Sequence, residues 1–305
     1  MSARKVKTIE TDALNSTSES IDLGGMKLIL PGSSKIELGD SVVIRAISRK
    51  ISSGNKGLKG LLYESVKRIK PDAVLVSGGI DSSVLAAIAV SLDKGVDLMV
   101  AGYKDSEDVH NAGILAESLG KELKISEITD EDMLAYIKHL KNLGLGTYNI
   151  IMGVVEYAAI KKLVASGDRK IISGIGSDEL FFGFYRHKTM PKDELRAFRD
   201  KRLSYMNATD LLRLDRIGKV LNAKLYYPYL EDSVIDYALK LDLDELTKDY
   251  DKSLLRTIGK EMGLGELIVK RKKKAMQYGS SVVKKLKILS KREGYKTVGE
   301  LIEKI

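Results

Sequence analysis

PDAVLVSGGIDSSVLAA, residues 71–87, is the stretch that decides the fold of this chain. Its first part, residues 72–76, is a short apolar run of the kind that forms a buried parallel strand. Residues 77–79 predict a tight turn, and the apolar residues from Ser82 onward predict a helix. The glycines allow the backbone to approach an anion, and the helix points its unpaired N–H groups at the same place. Strand, turn and helix together predict a phosphate-binding site.

Asp81 lies in the same turn and extends this prediction to a metal. A carboxylate beside a polyphosphate usually binds Mg²⁺. The loop differs from a Walker A motif, because no Gly-Lys-Ser/Thr ending follows it. A serine- and glycine-rich turn without a ligand is the alternative interpretation.

The composition is that of an ordinary protein with a sizeable core, in one large domain or two. Of its 305 residues, 44% are hydrophobic and 30% are charged. No charge-free apolar run reaches about 18 residues, and residues 1–12 are too polar for a secretory signal, so we expect a cytoplasmic protein without a membrane partner. The absence of cysteine excludes disulfides, thiolate metal sites and cysteine nucleophiles. The net charge of +9 suits a polyanion such as ATP, but it is weak evidence for nucleic-acid binding.

Strands and helices alternate regularly after the phosphate loop. Apolar strands are predicted at residues 97–101, 122–128 and 170–173, with helices at 105–119, 130–143 and 147–164. This alternation predicts an α/β fold with a doubly wound parallel sheet, which binds its ligand where the strand order reverses. From Ala197 onward the chain is predicted to be helical, except where the segment YYPYLED interrupts it at residues 226–232.

The chain divides at about residue 57. Residues 1–57 contain two candidate strands, 26–30 and 41–47, and are predicted to form a small β-rich extension. Residues 58–305 are predicted to form the main domain, including its helical C-terminal region.

A second glycine motif, SGIGSDELFFGFYRH, occupies residues 173–187 at the end of a predicted strand. It places Asp178 and Glu179 after its glycines. Two glycine turns at two strand ends of one sheet, each with an aspartate, can hold one Mg²⁺ between them. A loop of turn-forming residues without a ligand is the alternative.

The combination resembles the synthetase domain of the asparagine synthetases, within the N-type ATP pyrophosphatases of the adenine nucleotide alpha hydrolase-like fold. The motifs follow the order of that family: SGGIDSS at 77–83, SED at 106–108, LAESLG at 115–120, SGIGSDE at 173–179, YPYLED at 227–232, KSLLR at 252–256 and KRKKKAMQYGS at 270–280. The match covers residues 58–285. It implies that a carboxylate attacks the α-phosphate of ATP, Mg²⁺-pyrophosphate leaves, and ammonia displaces AMP from the acyl-adenylate to form an amide.

The resemblance implies roles for individual residues. The pyrophosphate loop comprises Ser77, Gly78, Gly79, Asp81, Ser82 and Ser83. The metal ligands are Asp81 and Asp178, Gly174 and Gly176 shape the loop near the nucleotide, and the backbone from Val100 to Gly102 receives the adenine. Lys273 matches the active-site lysine that balances charge as the adenylate forms. The alternative for Lys273 is that residues 270–274 form a solvated basic face.

Two departures from the family pattern bear on the substrate. Ile175 replaces a glutamate between the glycines, and an ungapped alignment suggests that Val154 replaces an arginine near the pyrophosphate. Both put aspartate as the substrate in doubt, and the motifs look most like the asparagine-synthetase-domain-containing branch. Without a glutaminase domain in this sequence, nitrogen is expected from free ammonia, a separate glutaminase subunit or an amine substrate, and a homodimer is compatible with the resemblance.

The three histidines are not spaced as metal ligands. His110 and His139 are predicted on helix surfaces, and His187 lies close enough in sequence to the second loop to approach the site. Three functions stay open at this point: an AMP-forming amide ligase, a tRNA-modifying enzyme with the same loop, and a nucleotide sensor without catalysis. The ligase is the interpretation that we favour, with a small carboxylate and ammonia as its substrates.

Overall fold

The computed structural model of the chain describes residues 19–23, 26–30, 57–247, 252–272 and 274–305. Near the amino end, β1 (Glu19–Leu23) pairs antiparallel with β2 (Met26–Leu30). β2 coincides with a predicted strand, and its partner is the segment immediately before it. The other strand predicted here, residues 41–47, lies outside the described residues.

A parallel sheet forms the centre of the described part of the chain. Its five strands are β3 (Ala73–Leu75), β4 (Asp97–Gly102), β5 (Leu123–Glu127), β6 (Lys170–Ile172) and β7 (Lys224–Tyr226). They lie in the order β5-β4-β3-β6-β7, so the chain leaves β3 in one direction and later returns to its other side. The predicted doubly wound parallel α/β fold is therefore confirmed, and the reversal beside β3 marks the expected ligand crevice.

Helices connect the strands and cover both faces of the sheet. Up to β7 they are α1 (Leu58–Ile69), α2 (Ile80–Leu92), α3 (Glu107–Ser118), α4 (Asp130–Asn142), α5 (Thr147–Ala165), α6 (Ser177–Leu180), α7 (Lys192–Met206) and α8 (Asp210–Leu221). After β7 they are α9 (Asp232–Lys240), α10 (Leu243–Thr247), α11 (Ser253–Glu261), α12 (Glu266–Val269), α13 (Met276–Gly279), α14 (Val282–Arg292) and α15 (Val298–Lys304). Within the described ranges, no helix combines the length and the apolar character needed to cross a bilayer.

The last strand of the sheet, β7, was not predicted, because residues after Ala197 were expected to be helical apart from the interruption at 226–232. Asn222 adopts a left-handed conformation with a φ angle of 54° and ends α8. The N–H of Lys224 then donates to the carbonyl of Arg169 at 2.7 Å, and β7 pairs with β6. Three residues are too few to show the alternation by which strands are recognised in sequence, so the edge strand arises from its partner.

Alternate residues of β4 enter two separate cores, as expected for a strand covered on both faces. Leu98 and Val100 belong to a core shared with α1, α2, α9 and α11. Met99 and Ala101 belong to a second core shared with α4, α5, α8 and α14. This double covering holds the carboxyl ends of the central strands rigidly at one edge, where the two glycine motifs lie.

Candidate active site

The first glycine loop connects β3 to α2 at the carboxyl edge of the sheet. Gly78 has a φ angle of 68°, and a Cβ atom there would lie 2.5 Å from the backbone of α3. Glycine meets both the left-handed conformation and the close approach. α2 begins at Ile80, two residues earlier than predicted, so Asp81 lies in its first turn. Its N-cap residue is Gly79, which has no side chain to cap the first-turn N–H groups, and this suits an anion site.

The second glycine loop follows β6, the neighbour of β3, and contacts the first loop. A Cβ atom on Gly174 would lie 3.3 Å from the backbone nitrogen of Ser82 and 3.4 Å from the Cβ of Asp81. Gly176 has a φ angle of 94° and precedes α6, whose first turn carries Asp178. The two motifs, distant in sequence, therefore meet at neighbouring strand ends, as predicted.

Lys252 places its ammonium group between the aspartates of the two loops. Its Nζ lies 2.6 Å from Oδ1 of Asp81 and 2.5 Å from Oδ1 of Asp178. The same nitrogen donates to Oγ of Ser177 at 3.2 Å. The Lys252 side chain is only 3% exposed. One buried cation thus bridges the two carboxylates that the sequence predicts as metal ligands.

The residue types around this cation suit Mg²⁺. Mg²⁺ at nucleotide sites usually takes one or two protein carboxylates, together with phosphate oxygens and water. Asp81 and Asp178 supply two carboxylates around one cationic position. Among the described residues there is no cluster of three or more acidic or histidine side chains able to hold a metal, so phosphate and water would complete the ligand shell.

Arg271 connects the first loop to the C-terminal region. Its guanidinium donates to the carbonyl oxygen of Ser77 and, at 2.9 Å, to Oδ1 of Asp108. The carbonyl oxygen of Arg271 in turn accepts a hydrogen bond of 2.9 Å from Arg256. The segments KSLLR, KRKKKAMQYGS and SED therefore hold the phosphate loop in position.

A pocket of about 1070 Å³ lies above the two loops. Ligand pockets in proteins commonly measure about 300–1,000 Å³, so this one has room for a nucleotide and a second small substrate. Val100 lines it from the end of β4, and Met152, Val155 and Ala159 of α5 supply apolar contacts. Ile175, which the sequence singled out, also lines it.

Glu179 and Arg202 form a charged pair in the same lining. Oε1 of Glu179 accepts from Arg202 at 3.1 Å, and the Glu179 side chain is 6% exposed. Burial raises the pKa of Glu179 to about 7, the charge of Asp178 adds to this rise, and Arg202 opposes it. Arg202 also stacks over the ring of Phe184, 4.8 Å from its centroid. This carboxyl therefore changes charge near neutral pH at the edge of the pocket.

Arg213 anchors a buried ionic group on another side of the pocket. It donates to both carboxylate oxygens of Glu156, at 2.6 and 2.9 Å, and to Asp210 at 2.7 Å. Burial raises the pKa of Glu156, and the contact with Arg213 opposes that shift. The arrangement joins α5 to α8 and gives the pocket a rigid polar wall.

Most of the predicted site residues meet in this pocket. Those in the lining are Ser77, Gly79, Asp81, Ser82, Val100, Gly174, Gly176 and Asp178. Gly78 packs against the backbone of Asn111, and Ser83 is fully buried in α2. Gly102 lies against Ser106 and Ser280. The roles assigned to these residues stay predictions.

Lys273, the predicted catalytic lysine, lies outside the described residues. Lys272 and Lys274, the residues on either side of it in sequence, both line the pocket. Val154 packs in the second core with no exposed surface, whereas its neighbour Val155 lines the pocket. The position interpreted as a lost arginine is therefore directed into the core.

The three histidines differ in burial. His110 and His139 are exposed on helices, as predicted. His187 is buried against the rings of Phe182, Phe184 and Phe198, with centroid distances of 4.9 to 5.3 Å. Its Nδ1 accepts a hydrogen bond of 3.2 Å from the backbone N–H of Phe184. The expectation that His187 could approach the site stays a prediction.

Sequence reasoning assigned no role to Lys252, Arg271 or Arg202. Lys252 and Arg271 lie in the motifs KSLLR and KRKKKAMQYGS, so the resemblance could have indicated that both residues belong to the site. Arg202 lies in a helix outside those motifs. Its contact with Glu179 and its place in the pocket lining show that it belongs to the site.

The chain matches the asparagine synthase family over residues 57–204 and 191–292. It is 25% identical to a provisionally named asparagine synthetase (glutamine-hydrolyzing) 1 of Methanocaldococcus jannaschii, over 90% of this chain and 58% of that protein. It is 29% identical to the asparagine synthetase (glutamine-hydrolyzing) of Gallus gallus, over 69% of this chain and 40% of that one. The chain thus spans about half the length of these curated relatives. The NMN synthetase of Francisella tularensis superposes with a TM-score of 0.42 at 16% identity, covering 79% of this chain and 84% of that one.

Proposed function

Because this chain belongs to the asparagine synthase family, we propose that it is an ATP-dependent ligase that activates a carboxylate as an acyl-adenylate and forms an amide from it. Pyrophosphate and AMP are the other products. The observation that carries this proposal is the meeting of Asp81 and Asp178 at one cationic position, above two glycine loops. Transfer at phosphorus depends mainly on positioning and charge neutralisation, which is what such a site provides.

The nucleotide is proposed to lie across the carboxyl edge of the sheet. Its phosphates contact Ser77, Gly79 and Ser82 at the amino end of α2, and its adenine lies beside Val100 at the end of β4. Asp81 and Asp178 would hold Mg²⁺, which neutralises charge on the departing pyrophosphate. Lys273 is proposed to balance the charge that builds up as the adenylate forms. Its neighbours Lys272 and Lys274 support this role because they line the pocket.

The acceptor is proposed to be a small carboxylic acid, aspartate or a relative of it. It would occupy the same pocket, which Ile175, Arg202 and Tyr148 help to line. Arg202 supplies a positive charge for a carboxylate there, although Glu179 already neutralises part of it. Ile175 makes one wall apolar. Ammonia, either free or from a separate glutaminase subunit, is the proposed nitrogen donor.

A direct assay tests this function. The protein is incubated with ATP, Mg²⁺, ammonium and a panel of carboxylic acids, while AMP and pyrophosphate are quantified. We expect equal amounts of both products with one class of acid, and none with the Asp178→Asn variant. ADP and phosphate as products would contradict the proposal. ATP binding without any pyrophosphate, over the whole panel, would favour a nucleotide sensor.

The mouth of the pocket favours a second candidate, a tRNA-modifying enzyme. Tyr148, Tyr185 and Tyr278 line the pocket and are 53%, 79% and 56% exposed. Exposed aromatic rings beside lysines, here Lys272 and Lys274, can stack and hold single-stranded bases. Retention of tRNA that weakens steeply with salt would support this function. Retention that is absent at low salt would reject it.

A further inference from the structure

We propose that Lys252 is a built-in counter-ion that occupies the place of the divalent cation until a nucleotide arrives, so that the nucleotide-free chain binds Mg²⁺ only weakly. This inference rests on the proposed function, because it concerns the same pair of aspartates. It concerns the state without nucleotide, which the assay for amide formation does not report.

The ammonium group of Lys252 contacts oxygen atoms of three side chains. Nζ of Lys252 donates a hydrogen bond of 2.6 Å to Oδ1 of Asp81 and forms an ion pair with Oδ1 of Asp178 at 2.5 Å. The oxygen of Ser177 at 3.2 Å is a third neighbour. The ammonium therefore donates hydrogen bonds to Asp81 and Ser177 and forms an ion pair with Asp178 at the position where a shared metal would be held.

The surroundings of Lys252 fit its side chain closely. Lys252 has a φ angle of 57°, a left-handed conformation that is unfavourable for a residue with a side chain, and it is the N-cap residue immediately before α11. Gly183 lies against its aliphatic end, because a Cβ atom there would be 2.2 Å from Cε of Lys252 and 2.0 Å from Oδ1 of Asp178. The space between α6 and α11 is thus closely matched to a lysine.

The positive charge of Lys252 opposes the entry of a free divalent cation between the two aspartates. The ammonium of Lys252 offsets one of the two negative charges of Asp81 and Asp178, and removing it would make the site more negative by one charge. A free divalent cation entering the site meets an existing positive charge in partly desolvated surroundings, where repulsion is stronger than in water. A polyphosphate adds negative charge that can accommodate both cations. The metal is therefore expected to enter together with the nucleotide.

Titration of the nucleotide-free protein with Mn²⁺ tests this inference. Free Mn²⁺ is measured by electron paramagnetic resonance, which requires no turnover. We expect millimolar or weaker binding for the unaltered chain and at least tenfold tighter binding for Lys252→Met. Lys252→Arg should stay weak because it keeps the charge. In the Lys252→Met background, Asp178→Asn should remove the gain.

Lys272→Met is the matched control, because Lys272 is an exposed lysine of the same pocket. Its Mn²⁺ affinity should equal that of the unaltered chain. An equal gain in both lysine variants would show a general charge effect and overturn the local role of Lys252. Micromolar binding of Mn²⁺ to the unaltered chain, or no gain in Lys252→Met, would also overturn it.

If the Lys252→Met variant does not fold without metal, its folding in the presence of Mn²⁺ tests the inference instead. In that case the loss reflects removal of the Lys252 cation from the two carboxylates, and millimolar Mn²⁺ should restore the folded far-ultraviolet circular dichroism spectrum. Failure of Mn²⁺ to restore it would reject the inference. A chain that shows the Lys252 effect but forms no pyrophosphate would reject the proposed ligase and leave the counter-ion role standing.

Discussion

Tyr229 donates a hydrogen bond of 3.0 Å to the backbone carbonyl of Asp81, although the two residues are 148 positions apart. The ring of Tyr229 is fully buried and meets that of Phe181 edge to face, with centroids 6.2 Å apart. Through this bond the YPYLED segment holds the first turn of α2. The position of the Asp81 carboxylate therefore depends on a residue from a distant part of the chain.

Removing this hydroxyl should loosen the first turn. Tyr229→Phe keeps the ring but leaves the carbonyl of Asp81 without this donor, and we expect a loss of about 1 kcal/mol in the free energy of unfolding. Urea denaturation measures it. Tyr63→Phe, at a site where the side chain is 38% exposed, serves as the control and should change stability little. Equal stability of both variants would show that the Tyr229 hydroxyl contributes nothing to the fold.

The two aspartates should act as one unit in turnover. Asp81→Asn and Asp178→Asn are each expected to abolish pyrophosphate release, because each removes a ligand of the same ion. Both variants should keep the fold, as judged by circular dichroism. The double variant should be little worse than either single one. Losses that add in free energy would count against a shared site.

The pKa of Glu179 predicts a pH dependence of stability. Its ordinary value of 4.5 rises to about 7 in the folded chain, mainly through burial. An acid with a raised pKa stabilises the fold below pH 4.5 and loses this contribution as the pH rises through about 7. The change amounts to about 3 kcal/mol between these limits. Glu179→Gln should remove this fall, which urea denaturation from pH 4 to 8 measures.

Two comparisons separate the contribution of Glu179 to the pH dependence of stability from that of other groups. Burial lowers the pKa of His187 to about 4, so His187 makes stability rise with pH over an overlapping range. Because His187 is present in both proteins, subtracting one curve from the other isolates the contribution of Glu179. Glu117→Gln, at an exposed helix position, should leave the curve unchanged. A Glu179→Gln curve parallel to that of the unaltered chain would mean that Glu179 titrates normally.

Substitution of Ile175 tests whether this position affects the nitrogen donor or the choice of acid. An isoleucine cannot accept a proton, so the nitrogen donor must arrive as neutral ammonia, or another group must deprotonate ammonium. At fixed total ammonia the rate should rise roughly tenfold per pH unit below the ammonium pKa of about 9, until another group limits it. Ile175→Glu should flatten this slope if it restores a base. Initial rates of pyrophosphate release, measured across pH, give the slope.

The competing account assigns Ile175 to the choice of acid. In that case Ile175→Glu changes the preferred carboxylic acid and leaves the pH slope unaltered. The same variant, assayed against a panel of acids, separates the accounts. If neither property changes, Ile175 does not face the reacting carbon, although it lines the pocket.

Much of the fold follows from local patterns in the sequence. The helices α3, α4 and α5 lie within two residues of their predicted bounds, because apolar periodicity and capping residues act over a few neighbouring positions. Thr129 and Asp132, for example, form a capping box at the start of α4. β7 escaped prediction because it is a strand only through its pairing with β6.

The sequence by itself determined the two glycine loops, their aspartates and the parallel sheet that brings them to neighbouring strand ends. Glycine conformations and strand-to-helix turns are local, so they can be read from a few residues. Only the tertiary structure decided that Lys252 lies between Asp81 and Asp178, that Arg202 meets Glu179, and that Val154 faces the core. These contacts join segments far apart in the chain. They depend on how whole helices pack on the sheet, which no local pattern specifies.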